Sequence, residues 1–417
     1  MKKATYRLFS LLLVFQLVAL YSSATDGYFS TGYGTINKGF AGAGVAFYQG
    51  SLINGNPAAT VFLGQQYQVG IDFFNPNRQY TIGGSPAADA MFPLAPGTIK
   101  SDSKLFLLPS AGANWMLNEK SSISAALFGN GGMNTDYPTM TFGDPSSKST
   151  GVNLAQLFGN ITYSHKLGEK HSIGVTGVIS YQYFEAKGLA SFAGFSSDAS
   201  ALSGNGKDNG FGYGFKIGYL GHLTENFAIG LTYQSKEYMS EFKDYAGLFA
   251  EQGDFDIPSS WTAGISWEFV SDLTLIADAK AIHYNEVKSI GNPMLPNLMQ
   301  GPLGGDAGAG FGWENIMVYK VGLNYAGLDT WEFRCGASFG KNPVPESEVL
   351  FNILAPGVIE NQLALGLSKA VGSKGNKIHF AVNYAMNSSV KGDNPMAQGQ
   401  TIEVEMNQLE LELGFSF

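Results

Sequence analysis

Few side chains in this sequence could do covalent chemistry. It has five histidines, His165, His171, His222, His283 and His379, and a single cysteine, Cys335. None of the histidines forms a metal-spaced pair. The glycine cluster at 39–44 is not a dinucleotide site, because no βαβ unit surrounds it, and no P-loop occurs. No cofactor and no metal are expected. What the spacing does offer is a grip on something greasy. In 188–200, Leu189, Phe192 and Phe195 recur every three residues. In 238–250, Phe242, Tyr245, Leu248 and Phe249 follow an i, i+3, i+6, i+7 pattern, which one helical face would present together. Two such stripes side by side would leave an apolar groove. Packing of these aromatics onto a rim is the competing reading. Met294, Leu295, Leu298 and Met299 form a third, flexible apolar set, interrupted by prolines.

Such loops need a scaffold, and the C-terminus indicates which. In LELELGFSF, residues 409–417, Leu409, Leu411, Leu413, Phe415 and Phe417 alternate with Glu410 and Glu412. A period of two places these sets on opposite faces of a strand. Grease outside and carboxylates toward a wet lumen suit a transmembrane β-barrel. The chain has 417 residues, 54 of them glycine, with 13% aromatic residues. Only 14% are charged, against roughly 25% in ordinary soluble domains. Mean hydropathy is −0.01, and after the first 20 residues no apolar run approaches the ~18 residues of a spanning helix.

The N-terminus reads as a secretory leader, residues 1–24. Lys2, Lys3 and Arg7 precede an apolar run at 8–20, and Ser22 and Ala24 are small residues at a cleavage site. Removing those three cations leaves 22 against 34 acids, a net charge of −12, which argues against a nucleic-acid partner. One cysteine permits no intrachain disulfide, so stability must come from barrel closure and packing.

Short polar or glycine-bearing turns fall at 118–120, 167–170, 224–226, 271–272, 327–329 and 372–376. Longer aperiodic stretches fall at 77–102, 135–149, 188–207, 240–256, 289–313, 342–357 and 391–400. These thirteen connections predict a fourteen-stranded antiparallel barrel over 63–417, beginning with QQYQVGIDFFN and with both ends on the short-turn, periplasmic side. In the last strand Ile402, Val404 and Met406 run out of phase with Leu409 onward. Either a bulge near Asn407 and Gln408 restores the register, or residues 401–406 stand above the membrane.

Residues 26–60 break the pattern. Their glycines interrupt any strand, yet Phe40, Val45, Phe47, Tyr48 and Ile53 call for burial. The natural place is the barrel interior, so residues 25–62 are expected to form a plug. Gly39-Phe40-Ala41-Gly42-Ala43-Gly44, followed by Asn56-Pro57-Ala58, resembles the hatch of the FadL family of outer-membrane channels for long-chain fatty acids and other hydrophobic compounds. PSAGANWML at 109–117 and ISAALFGNGGMNTDY at 123–137 resemble that family's second and third strands. Tyr233-Gln234-Ser235-Lys236, the run from Phe339 to Pro345, and Ile353 to Val358 follow in the same order. The resemblance covers the mature chain.

The resemblance implies an outer-membrane barrel closed by a hatch, in which Gly42, Gly44, Asn56, Pro57 and Ala58 carry the family pattern. A hydrophobic molecule would be caught by outer loops and would leave sideways into the membrane through a kink in strand three. Phe128-Gly129-Asn130-Gly131-Gly132 lies where that kink should be, and its glycines free the backbone and supply no packing. Fatty-acid members hold the carboxylate with basic side chains, for which Lys187, Lys207 and Lys320 are the candidates. No arginine stands near Ser191 and no lysine within 311–315, where such members carry them. A terminal Phe417 resembles the signal read by the barrel-insertion machinery, and family members are generally monomers. Two rivals are a general diffusion porin, which would need an open lumen with opposed charges, and a barrel enzyme, which would need a nucleophile beside a histidine. The histidines read better as solvated or interfacial.

Overall fold

Strands of alternating polarity can satisfy every backbone group in a membrane only by closing on themselves. The structure, a computed structural model describing residues 26–417 apart from 373 and 374, does so. The expected leader lies outside the described residues. The wall is built from β1 (Gln66–Gly84), β2 (Phe106–Asn118), β3 (Ser121–Asn130), β4 (Gly151–Lys166), β5 (His171–Lys187), β6 (Asp208–His222) and β7 (Phe227–Gln234). It continues through β8 (Ser260–Val270), β9 (Leu273–Ile282), β10 (Ile316–Leu328), β11 (Trp331–Gly340), β12 (Asn361–Val371), β13 (Asn376–Asp393) and β14 (Gln400–Ser416). Each strand pairs antiparallel with the next, and β14 returns to β1 from Gln68↔Ser416 to Gly84↔Gln400, closing fourteen strands. Short strands Gly97–Lys100 and Tyr238–Met239 add to β1 and β6 outside that circuit. All six tight turns lie at the expected places, on the side that holds both ends of the wall.

The alternation is visible in burial. Val69, Ile71 and Phe73 of β1 and Leu409, Leu411 and Leu413 of β14 face outward and exposed, whereas Gln68, Asp72, Glu410 and Glu412 are buried inside. Two expectations need correction. First, β1 does not end near residue 76; it runs to Gly84, because its upper half stays paired with β14. Second, β14 carries no bulge. Ile402, Val404 and Met406 share the inner face with Glu410 and Glu412. They point inward because the upper lumen is filled by an apolar core that includes Tyr80, Ile82, Leu154 and Phe184. The extra residue sits instead in β13, between Ala385 and Ser388.

The interior therefore has two halves. The upper half is mainly apolar, although Glu237, Asp256 and Glu348 are buried on the long-loop side. The lower half carries Asp72, Asp278, Lys320, Arg334, His379, Glu410 and Glu412. Into it folds the segment 26–65, in short helical turns at Thr35–Lys38, Tyr48–Gly50 and Pro57–Phe62. Its Phe40 is fully buried against Gly336 of β11, where a Cβ would collide with the Phe40 backbone. Glycine on the inner wall is what lets the segment lie so close.

Candidate functional site

The apolar residues singled out in the outer loops converge, but not as two helices. Leu189, Phe192 and Phe195 ride a 3₁₀ turn, Ala190–Phe195, whose three residues per turn suit their spacing. The 242–249 stretch is not one helical face. It is a 3₁₀ turn, Lys243–Tyr245, then irregular chain leading to Ala250–Gly253, itself interrupted at Glu251 and Gln252. Packing about Phe184 of β5 overrides the periodicity: the rings of Phe242, Tyr245 and Phe249 stand 5.7, 4.8 and 4.6 Å from it.

Leu189, Phe192, Leu248 and Phe249 line one narrow cleft, together with Phe311 and Phe351. Phe242 and Tyr245 back it from the core, and Phe195 packs at the edge of the same cluster. Of the third set, Met294 and Leu298 are buried elsewhere in that cluster, Leu295 packs against it, and Met299 is exposed. Almost nothing polar lines the cleft, so it favours apolar surface and offers no charge.

Below lies a break in the wall. The β2–β3 ladder stops at Ser110↔Phe128. On β2, residues 106–109 pair with β1 alone among the described residues. On β3, Gly129 and Asn130 pair only with β4, at Leu157 and Gln156. The regular part of the third strand ends at Asn130, and past Gly131 and Gly132 the chain pairs with β4 again, through bridges Asn134↔Asn153 and Tyr137↔Thr150. Pro109, which has no N–H to give, borders the opening.

The inner segment closes behind this break. Tyr33 stacks edge-on to Phe128 at 5.0 Å and donates its hydroxyl to Asn130 Oδ1. The Ser30 N–H reaches the same oxygen at 3.3 Å. Gly131 leaves a Cβ position only 2.7 Å from the Tyr28 carbonyl, too close for any side chain.

Charge and hydrogen bonds hold that segment. Lys38 on its first helical turn pairs with Asp72 at 2.5 Å, with Glu410, and with Glu412 at 3.7 Å. Asp26 receives Lys280 of β9 and Lys320 of β10, both at 2.9 Å. Asp278 accepts from the Gly44 and Val45 N–H groups at 2.6 and 3.0 Å. Gly42 has φ +80° and passes so close to Thr31 that a side chain would clash. Asn56 caps Pro57–Phe62 through the Ala58 N–H and donates to the Val45 and Tyr219 carbonyls. The Ala58 carbonyl accepts from Ser164 at 3.0 Å and Ser172 at 2.7 Å. Pro57 packs on Gly174, where no Cβ would fit.

None of the three lysines named for carboxylate binding is at liberty. Lys187 pairs with Asp136 at 2.9 Å on the outer rim. Lys207 lies over the Tyr183 ring at 4.3 Å. Lys320 is buried on Asp26 and the Thr31 carbonyl.

The histidines do not assemble a nucleophilic centre. His165, His171 and His222 sit at the short-turn end, and His283 bonds to Ser259 at 2.9 Å. His379 departs from the solvated expectation: it is buried in the lumen between Ser368 and Ser416, at 2.6 and 2.8 Å. Two hydroxyls flank it, and no carboxylate orients it as a triad base requires. Gly336-Ala337-Ser338-Phe339-Gly340 has G-x-S-x-G spacing, but it lies within β11 instead of a strand-to-helix elbow. The Ser338 hydroxyl is buried without a partner. Among the described residues no cluster of His, Cys, Asp and Glu could hold a metal.

The family described as outer membrane protein transport protein (OMPP1/FadL/TodX) matches residues 29–409. The chain belongs to this family. Its members are outer-membrane transport channels for hydrophobic compounds, and the protein is an outer-membrane barrel of that type. No curated protein matches it. Among solved structures, a Pseudomonas aeruginosa FadL homologue is similar at TM-score 0.69 and 16% identity, covering 94% of this chain and 98% of that one. The Pseudomonas putida toluene transporter TodX gives 0.66 at 16% identity, covering 93% and 98%. The Ralstonia pickettii toluene transporter TbuX gives 0.61 at 16% identity, covering 93% and 98%. At this identity the likeness speaks for the fold.

Proposed function

We propose that the protein carries hydrophobic molecules, long-chain fatty acids foremost, passively across the outer membrane. The outer-loop cleft catches the molecule and the opening between β2 and β3 releases it sideways, with the segment 26–65 acting as hatch. The interrupted β2–β3 ladder carries this reading. It lies where the apolar upper lumen meets the charged lower half. An apolar passenger going straight down would be set against buried charge, whereas lipid beside the opening costs it nothing. The fatty-acid passenger rests on the FadL side of the family. The solved relatives described as toluene transporters keep an uncharged aromatic in competition.

The opening can be stapled. A Cβ at Gly129 would lie 3.5 Å from that of Leu108, within the range a disulfide spans. In a Cys335→Ser background, Leu108→Cys with Gly129→Cys is expected to abolish uptake of labelled fatty acid when oxidised and to recover it on reduction. Uptake indifferent to oxidation would sink lateral release. Free passage of small sugars through liposomes bearing the wild type would favour a porin.

A further inference from the structure

With Lys187, Lys207 and Lys320 all engaged, the search for a head-group site moves to Arg78. It projects from β1 into the lumen and is only 5% exposed. It stands opposite Met406 in the ladder to β14, between Tyr80 and Ile82 above and Asp72 below. One terminal nitrogen, Nη1, donates to the Asn134 carbonyl at 2.6 Å. Among the described residues no carboxylate lies within ion-pair distance of it, although the other buried arginine, Arg334, has Glu332 at 2.6 Å. Glu410 faces the same space but is bound to Lys38.

A buried guanidinium without a counter-ion is costly, and its cost is relieved by any anion that reaches it. Arg78 lines a narrow cleft with Phe29, Phe74, Leu108 and Met406, which adjoins Gly131 and Gly132 just past the end of β3. The cleft thus joins one cationic fork to walls of mixed character at the threshold of the opening, with those four beside Gln362, Gln408 and Glu410. A planar carboxylate can accept two parallel hydrogen bonds from such a fork, while the neighbouring rings and methyls cover the first methylenes. We propose that Arg78 holds the anionic head of an amphiphilic monocarboxylate at the last station before lateral exit. It thereby selects acids over neutral hydrocarbons. This rests on the hydrophobic-passenger reading and names the head-group chemistry of the same path.

The test is calorimetric titration of purified full-length protein in mild detergent at pH 8, with dodecanoate and with methyl dodecanoate. The proteins are wild type, Arg78→Gln and Arg78→Lys, each first shown to be a folded barrel by its heat-dependent gel migration. Loss of a charge-assisted hydrogen-bond pair predicts dodecanoate binding weaker by about 10–100-fold in Arg78→Gln. The ester is expected to keep its affinity, and Arg78→Lys to recover part of the acid's, since it restores charge without the fork. Unchanged acid affinity in Arg78→Gln, or equal losses for acid and ester, would overturn the assignment. So would a wild type that binds the ester but not the acid, leaving the channel reading intact. A wild type that binds neither would overturn both.

Discussion

Lys38 is one cation among three carboxylates, Asp72, Glu410 and Glu412, all buried. Taking one partner out of a buried ion cluster leaves charge uncompensated, typically at about 3–5 kcal/mol. Lys38→Met is therefore expected to lower the temperature at which the barrel opens in detergent, read as the shift of its gel band on heating. A neutral change at an exposed lysine such as Lys341→Met should leave that temperature alone, since its pairing with Glu314 is solvated. In the outer cleft, Leu248 is half-buried, so its truncation costs the fold little. Leu248→Ala removes apolar contact worth ~1–2 kcal/mol to a bound chain. Affinity for a hydrophobic ligand should fall about 10-fold with the barrel unaffected. Arg78 shows why some residues could not be read in advance. The pattern ended the first strand before it, and its lack of a counter-ion depends on residues from β14 and the 131–150 stretch, far away in sequence.

Among the elements, strands were legible because each meets two different environments, so the period of two survives in LELEL and VGIDF. Tight turns were legible from their polar residues and glycines. The loop at 240–256 was not: a spacing that fits a helix was recruited to pack around Phe184, and tertiary contact decided its path. That loop also carries a titratable feature. Burial, reinforced by neighbouring Asp256 and opposed by Lys236, raises the Asp254 carboxyl to about 7. Its folded value lies above its ordinary 3.8, so the folded loop binds the proton more tightly. The stabilising contribution is full below about pH 4 and is lost as pH rises through about 7. Protease resistance of this loop should accordingly decline between pH 5 and 8, and Asp254→Asn should flatten that profile. A profile unchanged by the substitution would place the pH sensitivity elsewhere.

At the scale of the whole molecule, the lumen is layered, mainly apolar toward the long loops and more charged toward the turns, and the break in the wall lies at the boundary. The seam that closes the cylinder joins the first strand made to the last. Asp72 lies on one side of that seam, Glu410 and Glu412 on the other, and Lys38 bridges them from within. Before β1 and β14 meet, Asp72 is apart from Glu410 and Glu412. Once they meet, like charges crowd in a dry space unless the lysine is already there. We therefore expect the inner segment to act as a template for closure instead of a cork pressed into a finished tube. The expected order of biogenesis is inner segment first, seam last. A chain lacking residues 26–60 should zip up slowly in refolding from denaturant into micelles. Asp72→Asn with Glu410→Gln and Glu412→Gln should restore its speed.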